Sequence, residues 1–177
     1  MNIVLVGFRG TGKTTVGKAL AKKIGMGFVD ADDFIERRYG FMITELFERK
    51  GESLFRMMES DVISELSKMN SYVIAAGGGA ILKYKNIKNL KRHGVMILLE
   101  ADCDAVYKRI RKDDKTATRR PRLTNHDLYD EIKELMDFRA PYYHRAADFT
   151  VNTTSKPVDS VVEEIVRILT EQGYIPL

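Results

Sequence analysis

The chain has 177 residues and a formal net charge of +4, with 44% hydrophobic and 31% charged residues. This length predicts one domain with its own core, and this composition excludes a disordered chain. No apolar stretch approaches the ~20 residues of a membrane span, and a first strand beginning at Asn2 leaves no room for a signal peptide. The single cysteine, Cys103, excludes an internal disulfide, as expected of a cytoplasmic protein.

Five short apolar runs predict buried strands. They cover residues 3–6, 28–29, 73–76, 95–99 and 149–151. Between them, apolar residues recur at helical spacing, over residues 16–24, 54–69 and 161–169. Strands that alternate with helices indicate βαβ crossovers and a parallel sheet covered on both faces. We therefore expect an α/β fold, a three-layer αβα sandwich, in a single domain spanning residues 1–177.

The sequence GFRGTGKTT lies between the first strand and the first helix. Its glycines, lysine and threonine match the phosphate-loop pattern GxxxxGK[ST] in the expected context. Backbone N–H groups and the helix N-terminus there attract phosphate, while the lysine reaches the β- and γ-phosphates and the hydroxyl binds Mg²⁺. A glycine-rich turn without a ligand is the alternative. The predicted nucleotide contacts in this loop are Gly10, Thr11, Gly12, Lys13, Thr14 and Thr15.

Carboxylates follow the second predicted strand in the sequence FVDADD. Asp30 and Asp32 stand at the carboxyl end of that strand, where α/β sheets bind ligands. One carboxylate could face the waters of a metal ion and the other a substrate hydroxyl. Alternatively, Asp32 or Asp33 simply caps the helix that begins with FIERRYG.

Two further motifs, GESLFR and AAGGGA, come later in the chain. Arg56 lies on an apolar helix face, three residues before Glu59. It is either a solvated arginine paired with Glu59 or a guanidinium that Glu59 holds toward a substrate carboxylate. Three consecutive glycines after the third strand predict a close approach of the backbone to a ligand, with a flexible turn as the alternative.

The positive charge is concentrated in one segment. Residues 109–122 contain seven basic and two acidic side chains, which gives +5, more than the excess of the whole chain. Because residues 111–125 lack an apolar period, we predict a mobile basic lid there. Arg120 precedes Pro121 in this segment, and Arg139 lies in FRAPYY at the end of a helical stretch. If they are not surface charges, these arginines favour an anionic acceptor beside ATP.

The motifs GxxGxGKT, DxD, GExxFR, GGG, RP and RAPxY occur in this order over nearly the whole chain. In this combination the sequence resembles the shikimate kinases. The resemblance implies a P-loop kinase fold with a five-stranded parallel sheet, similar to that of nucleoside monophosphate kinases. It also implies that the chain phosphorylates the 3-hydroxyl of shikimate with ATP and Mg²⁺, a step of aromatic amino-acid (chorismate) biosynthesis.

The resemblance further implies roles for individual residues. Lys13 and Arg120 offset charge on the γ-phosphoryl group, and Asp32 orients the shikimate hydroxyl and accepts its proton. Arg109 stacks on the adenine, so that Arg109 and Arg120 complete the nucleotide site. The implied metal contacts are Thr14 and Asp30. The implied substrate contacts are Asp32, Arg56, Gly77, Gly78, Gly79 and Arg139.

Three other functions compete with this interpretation. A kinase of another hydroxy acid or sugar, such as gluconate, would share the phosphate loop and lid but not GExxFR with GGG. A regulatory GTPase would need Asn-Lys-x-Asp, which does not occur. A nucleic-acid-stimulated ATPase would use the basic segment as a binding face, although a local basic segment fits a phosphate-closing lid better. We therefore expect a cytoplasmic monomer with shikimate and ATP as partners, and with neither nucleic acid nor membrane.

Overall fold

The computed structural model describes residues 1–112 and 127–176. Five strands form one sheet in the order β2-β3-β1-β4-β5, and every neighbouring pair is parallel. The strands are β1 (Asn2–Val6), β2 (Gly27–Asp30), β3 (Tyr72–Ala75), β4 (Gly94–Glu100) and β5 (Phe149–Asn152). The predicted five-stranded parallel sheet is therefore confirmed.

Helices connect the strands and cover both faces of the sheet. They are α1 (Lys13–Ile24), α2 (Ala31–Tyr39), α3 (Ile43–Leu66), α4 (Tyr84–Arg92), α5 (Cys103–Lys112), α6 (Leu128–Ala146) and α7 (Val158–Glu171), with a 3₁₀ turn at Ala80–Leu82. Gly51 has non-helical φ and ψ values of 76° and 164°, so α3 consists of two helical segments, and the one after Gly51 corresponds to the helix predicted over residues 54–69. No described helix is both long enough and apolar enough to span a bilayer.

The core consists of layers on the two faces of the central strand. Ile3 and Leu5 pack with apolar residues of α1 and α7, whereas Val4 and Val6 pack with residues of α4, α5 and α6 on the other face. This division follows from the strand period of two, which sends successive side chains to opposite faces. Because both layers are filled, β1 is buried along its whole length, and the αβα sandwich is confirmed.

Parallel pairing brings the carboxyl ends of all five strands to one edge of the sheet. The chain leaves β1 into the phosphate loop, β2 into the Asp30–Asp32 region, and β3 into the glycine run at 77–79. In open α/β sheets this edge forms the ligand crevice. The fold therefore places three of the predicted motifs side by side.

Two expectations about local structure need correction. Arg111 and Lys112 belong to α5, so these two residues are helical rather than part of a loop. Residues 113–126 lie outside the described residues, and the lid stays a prediction. Arg139 is not at the end of its helix, because α6 continues through Pro141 to Ala146. A proline inside a helix removes one donor to the carbonyl four residues earlier. That carbonyl belongs to Asp137, an exposed residue, where water can replace the missing bond.

Candidate active site

A cleft of about 700 Å³ lies at the carboxyl edge of the sheet. Its walls contain the phosphate loop, the carboxylates after β2, Arg109 at the end of α5, and the segment after β5. Thus every described residue predicted to contact the nucleotide lines a single cleft. Arg120, the remaining predicted nucleotide contact, lies outside the described residues, and its role stays a prediction.

Glycines give the phosphate loop its shape. Gly10 and Gly12 have φ values of 80° and 98°, in the left-handed region that side chains other than glycine rarely adopt. Lys13 is the first residue of α1, and its Nζ donates to the carbonyls of Gly7 and Phe8 at 2.8 and 2.9 Å. The loop therefore holds a positive charge at the N-terminus of a helix, the arrangement that attracts phosphate.

Asp30 links the phosphate loop to the start of α2. Its Oδ2 accepts a hydrogen bond from the Thr14 hydroxyl at 2.6 Å, and its Oδ1 accepts from the backbone N–H of Asp32 at 3.0 Å. The capping residue of α2 is therefore Asp30, and the alternative in which Asp32 or Asp33 caps this helix is wrong. Asp30 has an extended backbone, from which a carboxylate can reach N–H groups two and three residues later.

The Thr14–Asp30 pair suits a Mg²⁺ ion. Burial raises the pKa of Asp30, and the nearby Asp32 carboxylate raises it further, so a cation beside this group would stabilise its charged form. A hydroxyl and a carboxylate are oxygen donors, which Mg²⁺ prefers. Within residues 1–112 and 127–176, no cluster of three or more His, Cys, Asp or Glu side chains could hold a metal alone. Mg²⁺ is commonly bound through one or two protein oxygens together with nucleotide phosphates.

Arg56 is both ion-paired and enclosed. Its Nη1 donates to Glu59 Oε2 at 2.8 Å, and only 1% of Glu59 is exposed. The guanidinium also lies 5.2 Å from the centre of the Phe55 ring and 6.0 Å from that of Phe47. A solvated arginine would not need such neighbours, so the geometry favours the hypothesis that Glu59 holds Arg56 in a fixed position.

The glycine run allows these charged groups to converge. A Cβ on Gly79 would lie 2.6 Å from Cζ of Arg56, and a Cβ on Gly77 would lie 2.8 Å from oxygens of both Asp32 and Glu59. The run continues directly into the 3₁₀ turn, because Ala80 N donates to Gly77 O at 3.0 Å. The close approach is therefore made by the protein's own side chains, and binding of a ligand at the glycines stays a prediction.

Helix α6 contacts both the phosphate loop and the glycine run. Arg139 is 7% exposed, and its guanidinium lies 5.7 Å from the centre of the Phe8 ring. Tyr143, one turn later, donates from its hydroxyl to the carbonyl of Gly78. The sequence reasoning missed Tyr143, although the i,i+4 spacing in RAPxY places it on the face of Arg139.

Arg109 is tied to the protein backbone around the nucleotide cleft. Its guanidinium donates to the carbonyl of Gly10 at 3.2 Å, and to the hydroxyl and carbonyl of Thr153 at 3.1 and 2.6 Å. The predicted stacking of Arg109 on adenine stays a prediction, but the structure places it beside the phosphate loop. Nothing in the sequence indicated a role for Thr153, the first of two consecutive threonines after a strand.

A second ion pair at the loop was also missed. Arg9 lies 3.5 Å from Glu131 of α6, and the Glu131 side chain is 1% exposed. The phosphate-loop pattern leaves the position of Arg9 open, so the motif carries no information about this contact.

Comparisons with known proteins agree with this geometry. The family model described as shikimate kinase matches residues 9–170. A shikimate kinase of Caldanaerobacter subterraneus subsp. tengcongensis is 40% identical over 166 residues, which cover 94% of each chain. The solved structure of shikimate kinase from Acinetobacter baumannii in complex with shikimate superimposes with a TM-score of 0.90 at 34% identity, covering 97% of this chain and 94% of that one. A gluconokinase from Sinorhizobium meliloti, at 15% identity and a TM-score of 0.60 over 98% of this chain and 93% of that one, shares the fold alone.

Proposed function

The chain belongs to the shikimate kinase family, and from that premise we propose how its cleft transfers the γ-phosphoryl group of ATP to the 3-hydroxyl of shikimate. One observation supports the residue roles above all others. Arg56, Glu59 and Asp32 converge on the glycine run, at the sheet edge that also carries the phosphate loop. An ATP site beside a cluster of fixed charges is what phosphoryl transfer to a small acid requires.

The phosphate loop and its lysine bind the donor. The N-terminus of α1 and the ammonium of Lys13 attract the β- and γ-phosphates, and Arg120 of the predicted lid adds a second positive charge. During transfer, the bond from the γ-phosphorus to the β–γ bridging oxygen of ATP breaks, and ADP leaves. Positive groups that are already in place stabilise the charge on the transferring oxygens without reorganisation.

The acceptor site orients shikimate. Arg56 and Arg139 bind its carboxylate, since a guanidinium can donate two parallel hydrogen bonds to a carboxylate. The glycine run lets the substrate approach the backbone closely. Asp32 accepts a hydrogen bond from the 3-hydroxyl and takes its proton as the oxygen forms its bond to phosphorus.

Thr14 and Asp30 are the residues that would hold Mg²⁺ with ATP. The ion supplies charge neutralisation at the phosphates when bound. Asp30 also keeps the Thr14 hydroxyl in place through the 2.6 Å hydrogen bond, and it caps the helix that carries Asp32. A change at Asp30 should therefore affect the metal dependence first. A cytoplasmic location, a monomeric state and the absence of nucleic-acid or membrane partners stay predictions from the sequence.

The experiment for this proposal identifies the product. The protein is incubated with MgATP and shikimate, and the product is examined by phosphorus and proton NMR. We expect one phosphomonoester, coupled to the proton on carbon 3 of the ring. A phosphate on another hydroxyl would contradict the placement of Asp32, and free phosphate alone would indicate that water is the acceptor.

A further inference from the structure

We infer that Thr153 is a positioning residue of the nucleotide site, which fixes the orientation of a phosphate-loop peptide through its buried hydroxyl. This inference deepens the proposed function, because it concerns how the same cleft binds the triphosphate of ATP. Thr153 directly follows β5 and is 3% exposed. Its backbone N–H donates to the carbonyl of Glu100 at 2.7 Å, which extends the pairing of β4 with β5 by one residue.

The hydroxyl of Thr153 joins three parts of the cleft. Its Oγ1 lies 3.1 Å from the carbonyl oxygen of Thr11 in the phosphate loop, and 3.0 Å from the carbonyl oxygen of Glu100 at the end of β4. It also accepts a hydrogen bond from Nη1 of Arg109 at 3.1 Å. A hydroxyl has one proton to donate and two lone pairs. Because Arg109 can only donate, and because the carbonyl of Glu100 already accepts the backbone N–H of Thr153, we assign the hydroxyl proton to the carbonyl of Thr11.

The hydrogen bond between Thr153 and the carbonyl of Thr11 orients the next N–H group of the phosphate loop. In a planar trans peptide, the C=O and the following N–H point in opposite directions. A hydrogen bond that holds the Thr11 carbonyl toward Thr153 therefore directs the N–H of Gly12 away from Thr153. Gly12 has a φ of 98° and lines the cleft, where backbone N–H groups are the phosphate-binding groups of such loops.

Arg109 makes the same kind of contact one peptide earlier. Its Nη1 donates to the carbonyl of Gly10 at 3.2 Å as well as to the Thr153 hydroxyl. The carbonyls of Gly10 and Thr11, which are consecutive in the loop, are thus held by Arg109 of α5 and by Thr153, the residue after β5. Glycine-rich backbone is intrinsically permissive, so an external constraint on these peptides pre-organises the loop for the triphosphate.

The test compares ATP and shikimate binding, measured separately by calorimetry, in Thr153→Val and in wild type. Valine keeps the shape of threonine but removes the hydroxyl. We expect ATP to bind about tenfold more weakly, since one buried hydrogen bond near a ligand site has that order of effect, while shikimate affinity stays unchanged. Thr153→Ser, which restores the hydroxyl, should bind ATP as wild type does.

Thr150→Val is the matched control. This threonine lies in β5 three residues before Thr153, it is exposed, and it does not line the cleft. We expect wild-type ATP affinity for this variant. If Thr153→Val does not fold, Thr153→Ser and Thr153→Ala replace it, because these two differ by the hydroxyl alone. The expected ATP affinity is then wild type for serine and about tenfold weaker for alanine.

Three results would overturn the inference. They are wild-type ATP affinity in Thr153→Val, an equal loss of ATP and shikimate affinity, and an equal effect of Thr150→Val. The ATP measurements contain no shikimate. They therefore test Thr153 even if shikimate proves not to be the acceptor, and a failure of one proposal can be told from a failure of the other.

Discussion

Substituting Gly79 by alanine tests whether the absence of a side chain at this position allows Arg56 to take its place in the site. The backbone of Gly79 has φ −101° and ψ −3°, which alanine adopts, so the change adds a methyl group without backbone strain. That methyl carbon would lie 2.6 Å from Cζ of Arg56, whereas ordinary contacts begin at 3.4 Å. The nearest atoms are Nη1 and Nη2 of Arg56, both at 2.4 Å, so the guanidinium must move by about 1 Å, the difference between 3.4 and 2.4 Å.

The retreat should weaken shikimate binding much more than folding. The clash involves the end of a flexible side chain, so we expect the free energy of unfolding to change by less than about 1 kcal/mol. In the proposed role of Arg56, displacing the guanidinium removes charge-assisted hydrogen bonds to the substrate carboxylate, each worth about 1.5–3 kcal/mol. At 1.4 kcal/mol for each factor of ten, the dissociation constant of shikimate should rise by roughly 10- to 100-fold, with ATP affinity unchanged.

The test measures shikimate affinity by calorimetry in four proteins, which are wild type, Gly79→Ala, Arg56→Ala and the double variant. If the methyl group acts through Arg56, then Gly79→Ala has almost no further effect once Arg56 is alanine, since coupled residues are not additive. Unchanged shikimate affinity in Gly79→Ala, or additive losses in the double variant, would refute the reasoning.

Three further predictions concern the same cleft. Arg139→Ala should weaken shikimate binding about 10- to 100-fold in calorimetry while ATP binding is retained, because one of the two guanidinium groups proposed to bind the carboxylate is lost. Equal losses for both ligands would contradict this role. Asp32→Asn should lower the turnover rate by about 10²–10⁴-fold with MgATP affinity little changed. Asp30→Asn should instead regain part of its activity as the Mg²⁺ concentration is increased. If added Mg²⁺ restored the activity of Asp32→Asn alone, the two roles would be reversed. Tyr143→Phe removes the hydrogen bond to the carbonyl of Gly78 and should raise the KM for shikimate about tenfold without changing the KM for ATP. An unchanged KM for shikimate would show that Tyr143 has no role in binding it.

The parts of the structure that follow from local sequence could be predicted. The phosphate loop is one example, because its glycines determine a backbone with φ values of 80° and 98° that few other sequences adopt. The five strands are another, since parallel strands buried on both faces appear as continuous apolar runs. The part of α3 before Gly51 was missed because it is a separate, short helical segment, which Gly51 divides from the rest with non-helical φ and ψ values of 76° and 164°.

The contacts that position the site could not be predicted from one sequence. The hydroxyl of Thr153 and the carbonyl of Thr11 are 142 residues apart in the chain, and 65 residues separate the hydroxyl of Tyr143 from the carbonyl of Gly78. Such pairs meet only after the strands have taken their order in the sheet. Capping of α2 by Asp30 was missed for another reason: three nearby carboxylates were chemically equivalent candidates, and the backbone at the end of β2 selects among them.

The rate of ADP release with and without acceptor tests most directly whether the cleft transfers phosphate to shikimate. The purified protein is supplied with MgATP and then with shikimate, gluconate or no acceptor, in a coupled assay for ADP. We predict rapid ADP release with shikimate and slow ADP release in the other two samples. Lys13→Met should show no shikimate-dependent release, because it lacks the ammonium group proposed to contact the β- and γ-phosphates. Equal rates with and without shikimate, or a faster rate with gluconate, would contradict this account of the site.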